Sequence, residues 1–481
     1  MASGDSSFEA TRRAWLASVS TALAASTQAL AQAAANVSRP NIILIISDQF
    51  RWDAIGAMGI NPMNLTPNLD AMAGRGVLFR SAFCNQPVCA PARASILTGQ
   101  YPSKHGVWRN GIGLPEDATT LATTLRGAGY SANYIGKWHL APNDRAHPET
   151  HGPVTPNHRG GFLDLWEASN ELELTSHAYE GNLYDADGKP IHFSGQYRAD
   201  FLTERAQRFL RSAKSPFLLA ISYLEVHHQN DSDTFDPPKE YARRYPNPFI
   251  PEDLRPLPGS WPSQLGDYFA CVAKMDDAIG SIRKTLAETG LDNNTILVFT
   301  SDHACHFKTR NAEYKRSPHE SSIHIPLIIE GPGFNRSMQV PELVSQVDLT
   351  PTLLQAAGFE PPRSMQGRAF LSLLDRHIQA WRNEVYFEMS EFVTGRGLRT
   401  PQYTYAVAAP KEPGWRAVPA ANRYVEYMLY DLFADPHQHV NLAGRVPYLK
   451  VTESLRQRLL ARIQEAGGVS PTIEPCWFPY S

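Results

Sequence analysis

The sequence is poor in cysteine: five in 481 residues, Cys84, Cys89, Cys271, Cys305 and Cys476, an odd number with no Cys-x-x-Cys pair. This excludes a disulfide framework and a thiolate zinc site, and it leaves most of these thiols as buried bystanders. Basic charge is not in excess either, since 45 Lys and Arg face 48 Asp and Glu for a net charge of -3. A nucleic-acid binder would show a basic surplus. Without one, any anionic ligand must be held by locally placed cations. No apolar run of about 18 residues exists beyond position 35, so nothing there spans a membrane. Internal repeats and low-complexity tracts are also missing beyond that point. What is present is a globular composition, 42% hydrophobic and 19% charged. The chain is long enough for two domains, or for one large domain with a smaller companion.

Residues 1–35 read as an export leader. Thr11-Arg12-Arg13-Ala14-Trp15-Leu16 resembles the twin-arginine motif, and an Ala/Ser/Thr-rich apolar stretch follows, ending in the small residues Ala31-Gln32-Ala33-Ala34-Ala35. An ordinary N-terminal amphipathic helix is the plainer alternative. The export reading implies the twin-arginine machinery as a partner and a periplasmic or secreted protein.

The remaining chain alternates strands and helices. Asn41–Ser47 is an unbroken apolar run, the pattern of a strand buried on both faces in a parallel sheet. Similar runs occur at 217–224, 296–300 and 325–329, with a shorter one at 133–136; helical patterns lie at 118–125, 199–210 and 268–289. Such alternation predicts an α/β fold with a doubly wound, mostly parallel sheet over residues 36–380. The stretch 236–262 holds eight prolines and is expected to be a long surface loop. Residues 152–194 are expected to be irregular, with a turn at Asp187-Gly188. From 381 to 481 the pattern shifts to short β-rich runs, at 384–389, 403–407 and 427–432. A helix then carries Leu455, Leu459 and Ile463. This predicts a small antiparallel C-terminal α+β subdomain.

Each apolar run is followed by chemistry. Asp48 and Gln49 follow the first, Lys137 and His139 the one at 133–136, Glu225, His227 and His228 the one at 217–224, and Asp302 and His303 the one at 296–300. Open parallel sheets bind ligands at the carboxyl ends of their strands. One such acid alone is usually a helix cap or turn former; four strands delivering these groups together predict one site. Asp48, Gln49, Asp302 and His303 suit one divalent cation, whereas Lys137, His139, His227 and Lys315 suit an oxyanion. A metal and several cations around a tetrahedral anion is the arrangement for transferring a sulfuryl or phosphoryl group. Cys89 stands at a probable helix start, with Pro91 in the first turn, residues 92–98 continuing it and Gly99 ending it. A buried structural cysteine is the default reading of Cys89 taken alone.

The string Cys89-x-Pro91-x-Arg93, with Leu97-Thr98-Gly99-Gln100-Tyr101-Pro102 and His105-Gly106, resembles the signature of the type I sulfatases of the alkaline phosphatase superfamily. The likeness extends to Gly136-Lys137-Trp138-His139-Leu140, Thr300-Ser301-Asp302-His303, Lys315 with Glu320 and Ile325-Pro326, and Leu429-Tyr430-Asp431-Leu432 with Asp435-Pro436. The resemblance implies that a maturation enzyme oxidises Cys89 to formylglycine. Hydrated to a gem-diol, this residue would attack sulfur with one hydroxyl while the alcohol leaves. The second hydroxyl would then lose its proton and expel sulfate. By the same resemblance Asp302 takes the attacking hydroxyl's proton, Arg93 and Lys137 hold the formylglycine oxygens, and His139 assists elimination. His227, preferred to its neighbour His228, and Lys315 bind sulfate and protonate the leaving oxygen. Asp48, Gln49, Asp302, His303 and residue 89 itself would hold the metal. His228, Gln229 and Arg310 are further candidate substrate contacts.

Two positions depart from the common family pattern. Gln49 replaces an aspartate and His303 an asparagine, which makes manganese or zinc alternatives to the family's calcium. The same pairing is similar to that of phosphonate monoester and phosphodiester hydrolases, the runner-up activity. A noncatalytic sulfoglycan-binding protein, with Cys89 left as a thiol, is a third reading; binding alone would not need a maturation motif. A carbohydrate sulfate ester is the expected substrate.

Overall fold

The computed structural model describes residues 39–144, 146–375, 381–411 and 416–476. The leader expected at 1–35, with Arg12 and Arg13, lies outside the described residues. Strands Asn41–Ser47 (β1), Val77–Phe83 (β2), Ser131–Lys137 (β3), Trp166–Ser169 (β4), Phe217–Ser222 (β5), Thr295–Ser301 (β6), Leu327–Glu330 (β7) and Met338–Ser345 (β8) belong to one twelve-stranded sheet. Five neighbours, in the order β6-β1-β5-β3-β4, run parallel. Successive side chains of β1 point to opposite faces, so Ile42, Leu44 and Ile46 enter one core and Ile43 and Ile45 the other. Helix Cys89–Thr98 (α1) packs into the first core, and helices Arg198–Leu210 (α2) and Trp261–Glu288 (α3) into the second. This is the doubly wound α/β arrangement.

Register positions the site. Ile46 lies opposite both Ser222 and Thr300, and Gly136 also lies opposite Ser222. The strands therefore end in line, and whatever follows them reaches one edge.

Two local expectations are corrected. The run at 325–329 is not a parallel strand: Pro326 divides His324–Ile325 from β7, and β7 pairs antiparallel with β6 and β2. The stretch 152–194 is not irregular, because β4 joins the parallel set and Glu180–Tyr184 and Pro190–Ser194 form a hairpin on the same sheet. Its turn does fall at Asp187-Gly188, where Gly188 adopts φ 77° and donates to the Asp185 carbonyl. Strand β2 went unread, since Arg80 and Ser81 interrupt its apolar run.

The second sheet orders Val385–Met389 (β9), Gly395–Arg399 (β10), Tyr403–Ala408 (β11), Arg423–Asp431 (β12) and Thr472–Glu474 (β13). Its first four strands are antiparallel, and β13 adds in parallel. Helix Leu449–Glu465 (α4) lays Leu455, Leu459 and Ile463 on it, as their spacing requires. Strand β10, Gly-Arg-Gly-Leu-Arg, lies outside the β-rich runs expected from the sequence. Its glycines are needed because a Cβ on Gly397 would lie 2.3 Å from the Phe387 ring. Among the described residues no helix is long and apolar enough to cross a membrane.

Candidate active site

Cys89 is the first residue of α1, and Arg93 follows one turn later on the same face. Gly99 ends the helix in the left-handed conformation, φ 63°, with its N–H on the Ser95 carbonyl. The side chain of residue 89 thus sits at the positive end of a helix that is buried throughout. Around Cys89 Sγ stand Lys315 Nζ at 3.0 Å, His303 Nε2 at 3.4 Å, and Asp48 Oδ1 and Lys137 Nζ at 3.9 Å each. Arg93 donates to Asp48 and Asp302, both at 3.1 Å, and to Ser222 Oγ at 2.6 Å. Lys137 donates to Asp48 and to Glu173, both at 2.8 Å. Lys315 arrives on a loop pinned at its own carbonyl by His306 Nε2 (3.1 Å) and Asn311 Nδ2 (2.9 Å).

Asp48, Asp302, His303 and Lys137 have no solvent-exposed side-chain surface. Charges buried this deeply must be paired: Arg93 and Lys137 meet Asp48, Asp302 and Glu173, whereas Lys315 faces Cys89, His227 and His303. Burial works against ionising Asp48, but Lys137, Lys315 and Arg93 hold it well below the usual carboxylate range. Asp302 is pushed up, by burial first and then by the charge of Asp48. Burial and Asp48 oppose a thiolate at Cys89, yet Lys137 and Lys315 bring its pKa well below the ordinary thiol value. Burial and Lys315 keep His227 neutral, with its Nε2 3.3 Å from Lys315 Nζ. For His139, burial and Lys137 are outweighed by Glu173, Cys89 and Glu171, which raise it to about 9.

The donor set fits a divalent cation. One ligand atom each from Asp48, Cys89, Asp302 and His303 lies within 4.8 Å of the others. His303 Nδ1 stands 3.1 Å from the Ala304 carbonyl, so the proton belongs on Nδ1 and the Nε2 lone pair faces the carboxylates. Gln49, held at φ 66°, has a buried Oε1 with no hydrogen-bond partner, an acceptor of the kind a cation satisfies. Two carboxylates, an amide oxygen and an imidazole are donors that a divalent cation takes.

A cavity of about 650 Å³ opens onto this cluster, lined by Cys89, His139, His227, His228 and Lys315 among others. His228 is stacked between His227 and Tyr314, with ring centroids 4.3 and 4.0 Å away. Two expected substrate contacts are not brought here. Arg310 donates to the carbonyls of His437 and Gln438, both at 2.7 Å, in a different part of the molecule. Gln229 is buried against the Glu173 and Ser176 carbonyls. Glu225 likewise serves the scaffold, paired with Arg198 at 3.0 Å. Sequence reasoning missed Glu171 and Glu173, which follow the fifth parallel strand, β4. The signal was available in Trp166-Glu167-Ala168-Ser169, a short strand followed by acids. Ser222, the last residue of β5 and a partner of Arg93, was missed too.

Fold and site together define a hydrolase of the alkaline phosphatase superfamily, built to transfer a group from a tetrahedral oxyanion. The sulfatase family model matches residues 40–359, and a model of the N-sulphoglucosamine sulphohydrolase C-terminal region matches residues 313–465. The chain belongs to the sulfatase family and is a sulfatase. It is 30% identical over 451 residues to the ulvan-active sulfatase of Formosa agariphila, covering 89% of this chain and 82% of that protein. It is 27% identical over 499 residues to the multifunctional alkaline phosphatase superfamily protein PehA of Trinickia caryophylli, covering 88% and 95%. The solved structure of yidJ from Bacteroides fragilis superposes with a TM-score of 0.77 at 26% identity, covering 89% of this chain and 96% of that one.

Proposed function

We propose that this sulfatase hydrolyses sulfate esters of carbohydrates, using formylglycine made from Cys89 and one divalent cation held by Asp48, Gln49, Asp302, His303 and residue 89. The observation that carries the reading is the position of Cys89 Sγ, at the end of the cavity and 3.0 Å from Lys315 Nζ. A cation bound there would neutralise charge on the transferring group, and formylglycine would supply an oxygen nucleophile in place of sulfur. Lys137 and Arg93, both locked to carboxylates, fix the floor on which residue 89 acts. Asp302 would accept the attacking hydroxyl's proton. Lys315, next to neutral His227, would bind a sulfate oxygen and meet the charge that develops on the leaving alcohol. His139 lies beside Glu171 and Glu173 at the edge of the same cavity and assists release. Carbohydrate substrates are supported by the name of the ulvan-active relative. The leader at 1–35 supports export by the twin-arginine route to the periplasm or beyond, and we divide the mature chain into a catalytic domain, 36–380, and a C-terminal subdomain, 381–481.

The test is mass spectrometry of the peptide containing residue 89, together with metal analysis and turnover. Active protein should be about 18 Da lighter at Cys89 than the thiol form, by the oxidation of cysteine to an aldehyde. It should hold one divalent ion, which Asp302→Ala loses, and should cleave sulfate esters faster than phosphonate monoesters. Full activity with an unmodified thiol would sink the mechanism. Faster phosphonate cleavage would favour the phosphorus chemistry of the related hydrolases.

A further inference from the structure

The cavity that ends at Cys89 has two charge environments. Its floor concentrates the cations already described. Its mouth is lined by two more, Lys308 and Arg316, and both are already neutralised. Lys308 is bonded to Asp233, whose carboxylate also accepts from Tyr314 Oη at 3.0 Å. Arg316 is bonded to Glu313 at 2.8 Å and to Glu391 at 2.5 Å. Glu171 is a third carboxylate on the wall, beside Asp233 and Glu313. Glu171 is answered by His139 at 3.3 Å, so the three carboxylates of the mouth are matched by Lys308, Arg316 and His139. A second anion on the sugar ring would have to displace a carboxylate from Lys308 or Arg316 and leave that carboxylate without its cation. A neutral ring meets suitable partners instead: amides of Asn110 and Asn230 for its hydroxyls, and the Tyr314 ring and Leu174 for its apolar face.

We infer that the sugar unit seated in this cavity is neutral, bearing the scissile sulfate as its only anion. This rests on the sulfate-ester reading above.

The experiment measures kcat/KM of matured enzyme for hexose monosulfates, for the same sugars carrying a second sulfate, and for 4-nitrophenyl sulfate. The second sulfate should lower kcat/KM about tenfold or more, because a displaced carboxylate would stand beside it without a cation. Asp233→Asn frees Lys308, and Glu313→Gln combined with Glu391→Gln frees Arg316; each variant should narrow the ratio several-fold. Disulfated sugars turned over as well as monosulfated ones would overturn the inference. So would a ratio that neither variant moves, or cleavage of 4-nitrophenyl sulfate with no sugar sulfate. No turnover of any sulfate, 4-nitrophenyl sulfate included, would overturn the sulfate-ester reading and this inference with it.

Discussion

Lys315 shows how much a single residue's role depends on what faces it. In sequence it sits beside Arg316, and two adjacent cations read most simply as a solvated surface. In the fold they diverge: Arg316 takes φ 72° and turns to Glu313 and Glu391, while Lys315 enters the cavity towards Cys89. A donor that strengthens its grip as the alcohol becomes an alkoxide lowers kcat when removed, not affinity alone. Lys315→Ala should reduce kcat by about 100- to 1000-fold, the usual cost of one such donor, and should harm poor alcohol leaving groups more than activated aryl ones. Lys284→Ala, on the exposed side of α3, is the control. Equal, mild effects in steady-state kinetics would show that Lys315 does not meet the leaving oxygen. The cations and ligands were legible as residue types after strands. Their carboxylate partner Glu173 was not, because its relation to Lys137 spans two loops and exists only once β3 and β4 pair.

Among the elements, the pairing of β3 with β5 carries the site. Gly136 has φ 106°, and a Cβ there would lie 2.0 Å from the Ser222 carbonyl oxygen. A side chain would separate the two strand ends that deliver Lys137 to Asp48 and Ser222 to Arg93. Gly136→Ala should therefore destabilise the protein by about 2–4 kcal/mol, the range for strain at a special backbone position, in urea unfolding. Gly74→Ala, in an open helical position where a Cβ meets nothing within 4 Å, should be neutral or slightly stabilising. Comparable losses for both would mean that the close approach at Gly136 is not what holds the strands. The buried parallel strands were readable because burial on both faces forces continuous apolar runs. Strands β2, β4 and β10 were not: each mixes polar or glycine residues that a neighbouring strand, not the local pattern, makes tolerable.

At the scale of the whole molecule, Glu320 ties the catalytic region to the second sheet. It bonds His324 at 2.9 Å and, from β10, Arg399 at 2.5 Å. Burial opposes its charge, but Arg399 and His324 lower its pKa to about 2, from an unfolded value of 4.5. A depressed carboxylate stabilises the fold above its unfolded pKa, and that contribution fades as pH falls from 4.5 through about 2. The shift corresponds to about 3 kcal/mol at most. Glu320→Gln should be less stable than wild type at pH 6, with the gap closing on acidification across that window in urea titrations. A gap independent of pH would remove the carboxylate's charge from the account. By itself, the sequence determined the fold class, the strand-end chemistry and the family, because strand burial and the run around Cys89 are local properties of the chain. Only the tertiary structure decided which cations were left for the ester: Arg310 went to a distant loop, Lys308 and Arg316 were neutralised, and Lys315 alone of these reached Cys89. Charge pairing depends on which side chains meet across elements far apart in sequence, and no local pattern records that.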